Sequence, residues 1–236
     1  MKKLLLILLC LPMVFNSCEE DNSPASSGNN SMTYIPDDNF EAYLEANGMG
    51  NGVANDDYVN TANINTVTFL SVNNLNISDL TGIEDFTTLT ELSCQHNQLT
   101  SLDVSQNTTL TGLWPNNNQL TTLDVSNNTA LNLLDCTSNQ LTSLDVSQNT
   151  ALSALWCSLN KISSLDVSAD TALSHLVCAS NQLTSLDLRN GNNWTNIEVW
   201  IANNPNLTCI SVDDPVYSTA NWLNRDPQHY FSANCP

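Results

Sequence analysis

LTSLDVSQNTTLTGLWPNNNQ at residues 99–119, LTTLDVSNNTALNLLDCTSNQ at 120–140, LTSLDVSQNTALSALWCSLNK at 141–161 and ISSLDVSADTALSHLVCASNQ at 162–182 are one 21-residue unit written four times without a gap. A fixed period of this length specifies a solenoid, because each unit buries its apolar edge only against its neighbours and the chain advances one coil per repeat. The leucines cannot form one helical stripe across a whole unit. They can point inward from a short strand with period-two alternation. The fold class expected is therefore a mainly β repeat protein with a parallel concave sheet, and function must lie on the surface columns that stacking creates.

Upstream, the repeats resume at Ile64, Val67 and Phe69 and pass through NISDLTGIEDFTTL (76–89) into Leu89, Leu92, Cys94 and Asn97. Before them, Asp37 or Asp38 can cap a short helix with Phe40, Tyr43 and Leu44 on one face, ending near Asn47-Gly48. Such a helix covers the apolar cross-section of the first coil. The stretch 47–58 (NGMGNGVANDDY) reads as a turn-rich connector. As a calcium loop it fails at Met49, where an oxygen ligand is needed, and at Tyr58, where a bidentate carboxylate should close the loop, so a metal site is the lesser alternative. Downstream, residues 190–206 stretch the last loop, Leu207 to Val212 form a final return segment, and a Pro- and Trp-containing tail follows. These readings divide the chain into an N-terminal cap at 32–60, a solenoid at 61–210 and a C-terminal cap at 211–236.

The first residues carry a different signal. Lys2 and Lys3 precede an apolar core, Leu4 to Leu11, too short to span a bilayer, and Phe15-Asn16-Ser17-Cys18 follows as a cleavage site. Residues 1–17 thus read as a lipoprotein signal peptide, with Cys18 lipidated; an ordinary secretory signal is the alternative. Residues 18–31 read as a flexible polar tether. The chain carries 5 Lys and Arg against 24 Asp and Glu, a net charge of −19. That balance excludes nucleic acid as a partner and disfavours direct docking on anionic lipid. Cys209 and Cys235 are off the repeat ladder and outside the leader, and in an exported chain they read as one disulfide pinning the C-terminal cap.

The recurring Leu-x-x-Leu-x-Cys-x-x-Asn followed by Leu-x-x-Leu-Asp-Val-Ser matches leucine-rich repeats. The 21-residue unit with a cysteine in place of a leucine, the TGIEDFTTL segment and the LDVS return resemble internalin-type bacterial surface proteins of the cysteine-ladder class, similar to arrays found in Bacteroidota. The resemblance covers about residues 34–236 and implies a right-handed solenoid that binds through whatever decorates its concave face. Glu19-Glu20-Asp21 after Cys18 resembles the export signal of surface-exposed Bacteroidota lipoproteins. This implies a lipid-anchored outer-membrane protein facing the cell exterior. Secreted members often carry a sorting domain after the cap; a chain ending at Pro236 fits lipid anchoring instead.

Four columns follow from the repeat. Asn97, Asn118, Asn139, Asn160 and Asn181 come after each strand, where an amide can bond the backbone of adjacent coils. Cys94, Cys136, Cys157 and Cys178 fall at an inward position, with Pro115 in the same column. Adjacent strands lie about 4.8 Å apart with side chains parallel, which suits buried free thiols better than disulfides. Pro115 deletes one ladder hydrogen bond. Asp103, Asp124, Asp145, Asp166 and Asp187 form a carboxylate column that is either turn-stabilising or a calcium stripe; the former is favoured because no second acidic column accompanies it.

The residue between the inward Leu and the inward Cys faces the concave side, giving Thr68, Ser93, Trp114, Asp135, Trp156, Val177 and Trp200. Exposed tryptophans in one column mark a binding site, with Glu91, His96, Asn116, Asn117, Ser158, His175 and Glu198 adding polar groups beside them. Such a face suits sugar rings or a protein partner; the tryptophans could also merely pack on one another and on Leu133. Catalysis finds no support: His96 and His175 are coils apart, no nucleophile sits with a base, no metal-ligand spacing occurs, and Asp135 lacks the second facing carboxylate of a glycosidase. The expectation is a non-enzymatic, cofactor-free, monomeric binding protein for a protein or polysaccharide. A glycan-capturing lipoprotein and a ligand-free spacer are the alternatives.

Overall fold

In the computed structural model, residues 31–191 and 198–236 are described. The leader, Cys18 and the tether up to residue 30 lie outside them, as does part of the stretched loop, 192–197. The described chain opens with an antiparallel pair, β1 (Met32–Tyr34) and β2 (Tyr58–Asn60), that encloses α1 (Asp38–Ala46) and leads into α2 (Thr61–Ile64). The solenoid then builds two parallel sheets. The larger contains seven strands: β3 (Phe69–Ser71), β4 (Glu91–Ser93), β5 (Gly112–Trp114), β6 (Leu133–Asp135), β7 (Ala154–Trp156), β9 (His175–Val177) and β11 (Glu198–Trp200). The smaller lies on the return segments and contains β8 (Ser164–Asp166), β10 (Ser185–Asp187), β12 (Cys209–Ser211) and β13 (Tyr230–Ser232), with α3 (Pro215–Asn221) before the last strand.

The middle residue of each strand in the larger sheet, from Leu70 through Leu176 to Val199, is buried, and its flanking residues turn to the other face, as a period of two requires. Behind it, Val72, Cys94, Cys136, Cys157 and Cys178 are fully buried. The four cysteines are free thiols, and desolvation pushes Cys94 and Cys178 up to about 12. A thiol so disfavoured as thiolate is unreactive. We expect a water-soluble disulfide reagent to leave these cysteines unmodified in the native protein and to titrate them only on unfolding; rapid native labelling would contradict the burial.

Asparagine ladders close the coils. Each ladder asparagine accepts from a backbone N–H of the preceding coil, as Asn118 Oδ1 from Leu99 at 3.0 Å and Asn160 Oδ1 from Leu141 at 3.0 Å. Its Nδ2 donates to carbonyls of both coils, as Asn160 to Cys136 at 3.0 Å and Cys157 at 3.1 Å. Asn204 carries the ladder one coil further, accepting from Leu183 at 3.2 Å. The residue before each rung is left-handed: φ is 54° at His96, 57° at Asn117 and 62° at Asn203. Thus His96 and Asn117 belong to the turn.

A second ladder, absent from the reading above although the recurring Asn-Thr-x-Leu marks it, runs through Asn107, Asn128 and Asn149 on the return side. Asn128 Nδ2 donates to Val104 at 3.0 Å and Asn107 at 2.9 Å, and Asn149 repeats this to Val125 and Asn128 at 3.0 and 2.9 Å. Asp170 takes the next rung, fully buried.

The caps use the same chemistry. Asp37 is the helix cap: its Oδ1 accepts from Asn39 and Phe40, both at 3.1 Å, while Oδ2 accepts from Ser78 N–H at 2.8 Å and Asp79 N–H at 3.2 Å, tying helix to first coil. Burial works against its charge, but these donors outweigh it and hold the carboxyl below its ordinary range. The connector after α1 is held by side chains: Glu45 accepts from Asn51 and Gly52, and the buried Glu41 from Asp56 and Asp57. At the other end Cys209 and Cys235 form the expected disulfide. The parallel register does not stop near residue 210. Cys209, Ile210 and Ser211 pair with Tyr230, Phe231 and Ser232, the 21-residue offset of the repeat, and Trp200 bridges Asn224 in parallel. The C-terminal cap is therefore a degenerate further coil.

One register differs from expectation. Reading Val67 and Phe69 as inward places Thr68 on the concave face. The inward pair is instead Leu70 and Val72, so Ser71 joins the tryptophan row and Phe69 is 57% exposed. The displacement is an odd number of residues, which turns every side chain over.

Candidate functional site

Two rows of side chains cover the outer face of the larger sheet. The first contains Phe69, Glu91, Gly112, Leu133, Ala154, His175 and Glu198. The second contains Ser71, Ser93, Trp114, Asp135, Trp156, Val177 and Trp200. The structure thus places the expected tryptophans in one row on alternate strands, with Asp135 and Val177 on the strands between. Phe69, which sequence reasoning turned inward, adds an aromatic at the N-terminal edge. The signal available for it was the alignment of Phe-Leu-Ser-Val (69–72) with Glu-Leu-Ser-Cys (91–94).

Trp114 and Trp156 are half-buried, and Trp200 is 43% exposed. The difference has a local cause. A Cβ on Gly112 would fall 2.7 Å from Cζ3 of Trp114, so that indole lies back across its own strand in the space a side chain would occupy. Ala154, two residues before Trp156, is only 3% exposed although it sits on the outer face. Trp200 follows Glu198 instead, and these two line a groove of about 200 Å³ with Asn221, Leu223 and Asn224 of the last coil. Trp114 thus covers its own strand, whereas Trp200 stands out from the sheet.

Asp135 lies on the strand between Trp114 and Trp156, half-buried, its Oδ1 accepting from Thr137 N–H at 3.0 Å. The neighbouring coil contributes Pro115, whose buried ring lacks the N–H that Cys94, Cys136 and Cys157 each donate to the next coil. The pairing of β5 with β6 accordingly ends at Leu113–Leu134. His175 and Glu198 are exposed direct neighbours across the sheet, whereas Glu91 lies at the other end of the first row. Ser174 Oγ approaches His175 Nδ1 at 2.9 Å, the one serine–histidine contact among the described residues. Ser174 Oγ also donates to the Ser153 carbonyl of the preceding coil at 3.1 Å.

The carboxylate column lies on the return side, away from these rows. Asp103, Asp124, Asp145 and Asp166 each accept from the backbone N–H two residues on at 2.9 Å. Ser105, Ser126 and Ser147 thereby hold the first three below the ordinary carboxylate range. Asp187 is held low by Arg189, at 2.5 Å. This is turn chemistry in every coil.

No family model matches the chain. A stretch of 74 residues is 40% identical to internalin J of Listeria monocytogenes serotype 4b (strain F2365), a stretch that makes up 31% of this chain and 8% of that protein. The chain therefore aligns with a small part of that relative's length. Among solved structures, internalin C2 of Listeria monocytogenes is similar with a TM-score of 0.61 at 22% identity, over 85% of this chain and 97% of that one. The leucine-rich repeat domain of APL1B is similar with a TM-score of 0.51 at 23% identity, over 64% and 47%. The molecule has the leucine-rich-repeat fold, of the type found in internalins.

Proposed function

We propose that this is a non-enzymatic binding protein that uses the outer face of its larger sheet to hold a macromolecule at the cell surface. The carrying observation is the row of three tryptophans on alternate strands, two half-buried and Trp200 exposed, on a sheet whose two rows contain no Lys or Arg. Large exposed aromatics in register are costly in water and are regained on binding. The fold supports the reading, since leucine-rich repeats commonly serve as binding scaffolds. We further propose that the protein acts as a monomer, lipid-anchored through Cys18 in the outer membrane and facing the exterior. That part rests on the leader, the Ser17-Cys18 junction and the acidic run after it.

The test compares wild type with a Trp114→Ala/Trp156→Ala/Trp200→Ala variant in pull-downs from bacterial and host cell surfaces. The variant is expected to lose the captured ligand, with affinity down at least about 100-fold if each indole contributes as binding hot spots do. Equal capture by both proteins would remove this face as the site.

A further inference from the structure

Two stations on the tryptophan row are built alike. Gly112, Trp114 and Asn116 form one, and Ala154, Trp156 and Ser158 the other. Each begins with a residue small enough for its neighbourhood to be roofed over, buried despite its outward position. Each then carries a half-buried indole, that of Trp114 lying in the space a Gly112 side chain would need. Each ends in a polar residue two positions on, just past the strand. The Oδ1 of Asn116 and the Oγ of Ser158 are buried and have no hydrogen-bond partner within the protein. Buried polar atoms without partners are uncommon and call for an explanation. Two of them stand in equivalent places, each two residues after a half-buried indole of the row, and point to a ligand.

The stations are two strands apart in a parallel, in-register sheet, a span of about 10 Å. A site that repeats at a fixed interval fits a ligand that repeats, as the sugar units of a polysaccharide do. A flat indole suits the C–H face of a pyranose ring, and the amide and hydroxyl groups suit its equatorial hydroxyls. Asp135 stands between the stations as a further acceptor. The chain's net charge of −19, with no basic residue in either row, repels uronates and sulfated sugars. The geometry points to a neutral, equatorially linked polysaccharide lying along the solenoid axis, with alternate sugar rings seated on Trp114 and Trp156. This inference rests on the proposal that the outer sheet face is the binding face, and names the ligand class.

Cello-, manno- and xylo-oligosaccharides from disaccharide to hexasaccharide serve as probes, followed by tryptophan fluorescence and calorimetry. Affinity for at least one series should rise about tenfold or more once the chain is long enough to reach both indoles. Trp114→Ala and Trp156→Ala should each abolish that gain, and Val216→Ala, at an exposed position of α3 away from both rows, should leave it. Asn116→Ala/Ser158→Ala, with both indoles in place, should weaken the longer sugars several-fold, and polygalacturonate should not bind. A gain that survives Trp114→Ala, or affinity independent of length, overturns the inference. So does failure of every series to bind. If in that case the triple tryptophan variant still loses its captured surface ligand, the binding face stands and only the glycan assignment falls. If capture is also unchanged, both fall.

Discussion

Replacing Asn139 by alanine is expected to destabilise the protein by about 3–5 kcal/mol, seen as a lower urea midpoint. The side chain is 8% exposed and links three segments. Its Oδ1 accepts from Leu120 N–H at 2.9 Å, and its Nδ2 donates to Pro115 and Cys136, both at 3.1 Å. Alanine leaves a buried N–H and two carbonyls without these partners. The cost of such orphaned groups exceeds the net value of the bonds themselves, because none can regain water. In a solenoid the loss falls on one coil interface, so the array should separate there and unfolding should lose cooperativity. Asn132→Ala is the control: Asn132 is exposed, its Nδ2 donating to Ala151 and its Oδ1 accepting from Ser153 Oγ, both at 2.9 Å, and since both bonds lie at the surface the exchange should change stability by less than about 0.5 kcal/mol. Similar midpoints for the two variants would mean that the ladder is decorative.

Exchanging Asp170 for asparagine is expected to act in the opposite direction, stabilising the protein by about 2–4 kcal/mol at pH 8. Asp170 occupies the rung after Asn149, where the equivalent amides donate to two carbonyls of the preceding coil, yet both of its carboxyl oxygens are buried without a partner. Burial first, then the charges of Asp166 and Asp145, pushes its pKa up to about 7. A raised carboxyl pKa means that the folded state holds a proton the unfolded chain has released. This group's contribution to stability is therefore greatest below about pH 4 and is lost as pH rises towards 7. Asp37, Asp103 and Asp145 have lowered values and contribute in the reverse sense, so the informative quantity is the difference between variant and wild type. That difference should be small at pH 4, grow to pH 7 and level off above it. A difference independent of pH would show that Asp170 does not carry the proton.

Much of the architecture is legible before folding. The 21-residue period, the inward leucines and the Cys209–Cys235 pair can be read because each is a local pattern repeated or an isolated exception to one. The first coil was harder. Phe69 and Leu70 are both apolar, and only pairing with Glu91 and Leu92 decides which of them faces the core. The last coil is harder still, because Tyr230-Phe231-Ser232 matches Ser185-Leu186-Asp187 at no position and is recognised as a repeat only through its register with β12. For the site, the tryptophan row was readable from spacing. The flattening of Trp114 over Gly112 was not, because a rotamer answers to space across the strand.

By itself, then, the sequence determined the scaffold: period-two burial and a fixed 21-residue return leave a stacked solenoid as the way to hide so many leucines, and they set which column is outward. Tertiary structure alone decided what that outward column presents. The stacking brings strands within about 4.8 Å, so an indole's pose depends on the small residue beneath it, and Asn116 and Ser158 lose their water only once the coils close around them. Burial on neighbouring coils likewise turns Asp170, which as a sequence letter differs little from the asparagines above and below it, into a carboxyl without a donor.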